Sequence, residues 1–323
     1  MSDTSTTTSD RHGPIRAVPV RHPWRWAVNA ILIVLAAMLV HTLFSKVPAP
    51  NGQGSVWRFG WNVVGQYFTA STVLWGVVHT LELTVLAMIL GIAGGLVVAT
   101  LRLSPNRFMS STAFLYTWFF RGTPVYVQLL FWYNIATLYP TVRLGVPFGP
   151  SFWTINSNSA ITPFMAALLG LGLNEAAYMA EIIRGGILAV DPGQVEAASS
   201  LGMPRVLTLR RIVIPQAMRV IIPPTGNESI SMLKTTSLAI AAQYSELTFV
   251  TTNIGATTYQ VVQLLIVASI WYLIMTSILS VGQYFLERHY ARGAVKEGDD
   301  RLSVLWTRML LKRNVTVFGE ADA

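Results

Sequence analysis

The run Ile31–Val40 reads ILIVLAAMLV, and no Asp, Glu, Lys or Arg interrupts the chain from Trp26 to Phe44. A hydrocarbon core of roughly 30 Å is crossed by about 20 predominantly apolar residues in a helix, because a backbone without water must satisfy its own hydrogen bonds. Five further segments approach that length. They are Val73 to Leu101, holding Glu82; a stretch within Phe114 to Tyr139, broken at Gly122-Thr123-Pro124; and Ile161 to Leu188, holding Glu175 and Glu181. Ala217 to Ala242, with Pro223-Pro224, Glu228 and Lys234 inside it, and Val261 to Phe285 complete the set. Charged residues make up 12% of the 323, about half the roughly 25% usual in soluble chains, too few to cover a soluble body of this size. The expectation is an all-α integral membrane protein with about six spans. The first segment does not read as a cleavable signal: polar residues precede it and no small-residue cleavage site follows.

The basic residues orient these spans. With the N-terminus inside, Arg11, Arg16, Arg21, Arg25, Arg102, Arg107, Arg205, Arg210, Arg211, Arg219 and seven Lys or Arg from Arg288 onward fall on the cytoplasmic side. Only Lys46, Arg58 and Arg143 fall outside; Arg121, Arg184 and Lys234 lie within or beside spans and belong to no loop. Seventeen against three places both termini in the cytoplasm. This asymmetry accounts for the net charge of +8 without a nucleic-acid partner. The absence of Cys excludes disulfides, thiolate metal sites and cysteine nucleophiles. The organisation expected is a polar tail at 1–25, a first span at 26–44, an external loop at 45–72, a membrane domain at 73–290 and a cytoplasmic tail at 291–323. That last tail carries one amphipathic stretch at Leu302–Leu311.

One cytoplasmic connection, residues 191–215, carries its own start and stop signals. Asp191 suits an N-cap, Pro192 the first helical position and Gln194 the third, a capping-box pattern. Gly202 suits a left-handed residue after the helix, and Pro204 prevents continuation. Between them lie small residues, Ala197, Ala198, Ser199 and Ser200, that allow another surface to approach the backbone.

This connection resembles the EAA loop of binding-protein-dependent ABC importer permeases. Glu196-Ala197-Ala198 is followed by Gly202 and then by Ile212, Ile214 and Pro215, with Ile at 214 where the pattern has Leu. The flanks, Phe120-Arg121-Gly122-Thr123-Pro124 with Gln128, Ala177 to Ile187, and Pro215 to Arg219 with Lys234-Thr235-Thr236-Ser237-Leu238, are similar to the polar amino-acid branch. The resemblance covers about 73–290 and implies a MetI-like type I transmembrane domain in the cell membrane. It implies that Glu196, Ala197, Ala198, Gly202, Ile212 and Pro215 couple the chain to a separate ABC ATPase dimer, which binds ATP and Mg. An extracytoplasmic solute-binding protein, a second permease copy or paralogue, and membrane lipid are the other partners implied. The chain itself is then no enzyme and holds no metal or cofactor. Lys234-Thr235 looks like the end of a P-loop, but the preceding glycine pattern is absent.

Ionisable groups inside spans are costly and are functional candidates. Glu175, Asn174 and Glu82 are candidates for the solute path, where a carboxylate suits an α-ammonium group. Glu181 and Arg184, three apart, suit a bridge on one helix face. Arg121 and Pro124 flank the break in the third span, where Pro124 suits a helix start and Arg121 suits carbonyls or lipid phosphate near the cytoplasmic interface. Lys234 belongs to the fifth span. A secondary transporter or channel is the alternative; it predicts inverted repeats and leaves the EAA pattern without a role. An integral membrane enzyme needs converging catalytic groups, and the five scattered His supply none.

Overall fold

The computed structural model describes residues 24–48, 54–146 and 151–290. The C-terminal tail with its Leu302–Leu311 stretch, and all but the last two residues of the N-terminal tail, lie outside the described residues. The chain divides into two compact units at Gly65/Gln66.

In the first unit, helix α1 (Trp24–Leu43) has no buried residue among those described. Strands β1 (Lys46–Pro48) and β2 (Ser55–Trp57) pair antiparallel, Lys46 opposite Trp57, and the Lys46 ammonium lies 4.8 Å from the Trp57 ring centre. Helix α2 (Trp61–Phe68) follows; Trp61 stacks on Phe44 at 5.5 Å and donates its indole N–H to the Leu43 carbonyl. The predicted external loop thus contains a hairpin and a short helix.

The second unit is built on α3 (Ser71–Arg102), α4 (Arg107–Gly122), α5 (Val125–Tyr133) and α6 (Ile135–Leu138). A second hairpin, β3 (Thr141–Gly145) with β4 (Ser151–Asn156), and α7 (Ser157–Ala160) lead to α8 (Pro163–Leu188). Then come α9 (Pro192–Ser200), α10 (Arg205–Thr208), a π-helical turn (Leu209–Val213), α11 (Ile214–Thr235), a 3₁₀ helix (Thr236–Ala242), α12 (Leu247–Thr258) and α13 (Val261–Tyr290).

Among the described residues four helices are long and apolar enough to cross a membrane: Trp26–Leu43, Ser71–Arg102, Pro163–Leu188 and Val261–Tyr290. The third and fifth predicted segments differ for physical reasons. The third is cut into α4 and α5 by Thr123-Pro124, where proline removes a donor and holds its neighbour extended. The fifth carries Pro223, Pro224, Glu228 and Lys234 in one helix and ends as a 3₁₀ helix. Residues 243–259, between the fifth and sixth predicted segments, hold α12. Its buried face is the narrow stripe Leu247, Thr251 and Gly255, too small and polar to register as an amphipathic pattern.

The core is the packing of α3 on α8. Lipid tails are as apolar as leucine, so helices in a bilayer associate through close van der Waals contact and polar ties. Gly91, Gly95 and Ala99, four apart on α3, are all buried. A Cβ on Gly95 would sit 2.5 Å from Met179 Cβ and 3.0 Å from the Ala180 nitrogen, so only glycine permits this approach. The two helices run in the same direction. Tyr116 ties α4 to α8 by donating to the Leu173 carbonyl at 2.7 Å, and Trp271 of α13 donates to the Phe68 carbonyl at 3.0 Å while stacking on that ring.

Candidate functional site

The break between α4 and α5 leaves carbonyls at Phe120 and Thr123 without helical partners. Gln128 donates its amide to the Phe120 carbonyl (3.0 Å), the Thr123 carbonyl (3.2 Å) and the Thr123 hydroxyl (2.7 Å). Asn174 of α8 donates to the Phe120 carbonyl at 2.7 Å and to Gln128 Oε1 at 3.3 Å. Irregular backbone among apolar helices persists where it is so satisfied and lines a cavity.

The cavity is there. About 540 Å³ is enclosed by the break, Arg121 to Val125, by Leu171, Asn174, Glu175 and Tyr178 of α8, and by Glu228, Ser231, Met232 and Thr235 of α11. This falls within the roughly 300–1,000 Å³ of small-molecule sites. Glu175 is 4% exposed, and its Oε1 has no hydrogen-bond partner among the described residues. It packs against Gly91 of α3. Arg121 places its guanidinium 5.1 Å from the Tyr178 ring centre. The cavity therefore presents two carboxylates, one guanidinium and one amide.

The predicted residues separate accordingly. Glu175 and Asn174 line the cavity, although the Asn174 amide nitrogen is spent on the break. Glu82 does not line it and is exposed on α3. Arg121, expected at a helix end near the cytoplasmic interface, is exposed on the last turn of α4 and lines the cavity. Pro124 is the N-cap of α5. Glu181 accepts from Arg184 Nε and Nη2 at 2.9 and 2.7 Å and lies 3.6 Å from Arg102. Lys234 is exposed and lies outside the cavity lining. Glu228 and Tyr178 had not been singled out. A carboxylate inside an apolar segment was the available signal for Glu228; nothing in spacing marked Tyr178. Among the described residues no group of three His, Asp or Glu converges as metal ligands do.

The connection at 191–215 forms a rigid knob. The Asp191 carboxylate caps α9 by accepting from Gly193 N–H at 2.8 Å, one residue earlier than a capping box requires. Gly202 has φ +72°, and two bonds, Met203 N–H to Ala198 and Gly202 N–H to Ser199, both 3.0 Å, close a Schellman motif. Glu196 and Ala197 are exposed, whereas Ala198 is 2% exposed within this chain. Of the two alanines expected to admit a partner, Ala198 instead packs inward, because α9 turns that face to its own subunit. Ile212 is half-buried in the π-helical turn, and Pro215 stands exposed at the start of α11.

A cavity at a helix break walled by apolar helices, with an exposed capped helix in the same unit, suits a membrane permease. The model of the binding-protein-dependent transport system inner membrane component family matches residues 91–292. The arginine transport system permease protein of Corynebacterium glutamicum is 46% identical over 96% of this chain and 90% of its own. A crystal structure of an amino acid ABC transporter with histidines is similar at 35% identity and TM-score 0.58, over 68% of this chain and 94% of that one. An inward-facing structure of a methionine ABC transporter shares the fold at 16% identity and TM-score 0.52, over 69% of this chain and 99% of that one. The chain belongs to the family of binding-protein-dependent transport system inner membrane components. It is a multi-pass inner-membrane permease subunit of an ABC importer with the MetI-like fold; the ATPase activity resides in a partner subunit, and the permease carries no cofactor.

Proposed function

We propose that this permease imports amino acids with a cationic side chain, arginine first among them. The observation that carries the reading is the cavity charge: Glu175, buried and without a bonded partner at Oε1, stands with Glu228 opposite a single guanidinium, Arg121. An α-carboxylate suits Arg121, and the two ammonium or guanidinium charges of a basic amino acid suit the two carboxylates. The arginine and histidine named for the similar proteins support the same class.

In this reading six spans place both termini in the cytoplasm: α1, α3, α4 with α5, α8, α11 and α13. An extracytoplasmic protein delivers solute, and a second permease copy completes the path, onto which Glu82 would face. The ATPase takes hold of α9 through Glu196 and Ala197, with Gly202, Ile212 and Pro215 fixing the angle of the knob. The domain limits remain those of the sequence: a span at 26–44, an external segment at 45–72 and the transport domain at 73–290.

The test is uptake by proteoliposomes holding the permease, its ATPase and its binding protein. Labelled arginine should accumulate on ATP addition, with lysine competing and leucine and glutamate failing to compete. Glu175→Gln should lower uptake by about tenfold or more, the effect of losing one charged hydrogen-bonded contact of roughly 1.5–3 kcal/mol. Unchanged arginine uptake in Glu175→Gln, or equal competition by glutamate, removes the assignment.

A further inference from the structure

A second pocket lies on the other side of Arg121. About 400 Å³ opens between α3, α4 and α8, lined by Arg102, Phe114, Thr117, Trp118, Arg121, Gly122 and Glu181. We infer that this pocket binds the phosphate of an anionic phospholipid headgroup in the cytoplasmic leaflet.

The charges come first. Glu181 takes both Arg184 bonds on Oε2 and leaves Oε1 to a loose ion pair with Arg102. Arg102 stays 3.6 Å from Glu181, and its buried Nε has no hydrogen-bond partner. Arg121 touches the Tyr178 ring and has no ion pair among the described residues. The pocket thus holds two guanidiniums against one carboxylate that Arg184 also engages, and Arg121, which walls both pockets, has N–H groups for each. Guanidinium presents a planar fork suited to phosphate oxygens.

The position comes next. Arg102 is the last residue of α3, whose 32 residues extend to roughly 48 Å, longer than a core of roughly 30 Å. Its end therefore reaches the headgroup layer, on the side where the basic residues gather. The Arg102 guanidinium lies 4.9 Å from the Phe114 ring centre. Phe114 and Trp118 are exposed on one face of α4, where aromatic rings mark a membrane interface. The Thr117 hydroxyl is turned back onto the Phe114 carbonyl at 2.9 Å, which leaves the phosphate to the guanidiniums. Basic pockets between spans on the cytoplasmic side recognise anionic headgroups, and here the aromatic rims suit the first carbons of the acyl chains. Because Arg121 and Gly122 wall both pockets, an occupied headgroup site holds the helix break from the lipid side.

The full-length permease with its ATPase is purified in detergent and tested with dioleoylphosphatidylglycerol, dioleoylphosphatidylcholine, and soluble glycerol 3-phosphate. Native mass spectrometry and the lipid-induced change in melting temperature are read for the unmodified chain, Arg102→Gln, Arg102→Lys and the control Arg107→Gln. Arg107 begins α4, five residues after Arg102, and lies outside the pocket. Phosphatidylglycerol should bind in preference to phosphatidylcholine. Arg102→Gln should weaken it roughly fivefold, the effect of one basic residue at an anionic surface, with Arg102→Lys intermediate and Arg107→Gln close to unmodified. A photoactivatable phosphatidylglycerol on the unmodified chain should label peptides containing 114–121, which reads the site even if Arg102→Gln folds poorly. Equal saturation by glycerol 3-phosphate assigns the same pocket to a soluble phosphate and overturns the lipid source. Equal loss in Arg102→Gln and Arg107→Gln, or labelling elsewhere, overturns the site. Arginine uptake is not part of any readout, so failure here is distinct from failure of the proposed function.

Discussion

Glu246 shows how one residue joins several elements. It is fully buried, and its carboxylate accepts from Thr248 N–H at 2.9 Å, Phe249 N–H at 2.7 Å and the Tyr272 hydroxyl at 2.8 Å. It caps α12 and anchors it to α13 at once, while the next residue, Leu247, donates its N–H to the Thr80 hydroxyl of α3 at 3.1 Å. His79, a lone histidine in sequence, pairs its Nδ1 with the Ser245 carbonyl at 2.9 Å in the same corner. Truncation leaves buried donors without acceptors. Glu246→Ala should therefore cost on the order of 2–4 kcal/mol, seen as a lowered melting temperature in detergent. Glu246→Gln, which keeps one acceptor oxygen, should lie between the two; equal stability of all three would show that the carboxylate ties nothing.

Elements are held by small side chains where the bilayer offers no hydrophobic drive. Gly95 meets Met179 and Ala180, while Gly185 on α8 has nothing near the position of a Cβ. Gly95→Ala should lower stability and folded yield, and Gly185→Ala should be neutral or stabilising by up to about 1 kcal/mol through helix propensity. Comparable losses from both would refute a close α3–α8 contact. At the knob proposed to couple to the ATPase, Gly202 holds a left-handed conformation that costs other residues roughly 1–2 kcal/mol. Gly202→Val should expel the ATPase on co-purification while expression persists, with Ser200→Ala as the tolerated control. Pro215, at the first turn of α11, has no N–H to continue the ladder, and the preceding turn widens to a π helix. Such turns mark functional positions. Pro215→Ala should keep the ATPase bound but lower severalfold the stimulation of its hydrolysis by the binding protein.

On the scale of the whole molecule, the permease has no source of work of its own. Vesicles holding this chain alone should show no concentrative uptake, and adding the ATPase, binding protein and ATP should restore it. Accumulation by the isolated chain would place it among self-powered transporters.

Much of this was legible in residues. Apolar length, the seventeen-to-three distribution of basic residues, and the capped segment ending in Gly202 are local or cumulative properties, so membrane residence and the capped helix α9 follow from chain chemistry alone, as does the proposed orientation. The break at Gly122-Thr123-Pro124 was legible for the same reason: proline acts on its immediate neighbours. What the chain could not state is which polar groups meet. Glu82, Glu175 and Glu228 are alike as carboxylates in apolar segments, yet packing leaves Glu82 on the outer face and brings Glu175 and Glu228 into one cavity with Arg121. The same applies to Ala197 and Ala198, adjacent in sequence and opposite in burial. Whether a side chain is spent on its own fold or left free for a ligand depends on contacts between residues about 50 or more apart, as between Arg121, Glu175 and Glu228. Those separations are closed only when α4, α8 and α11 pack.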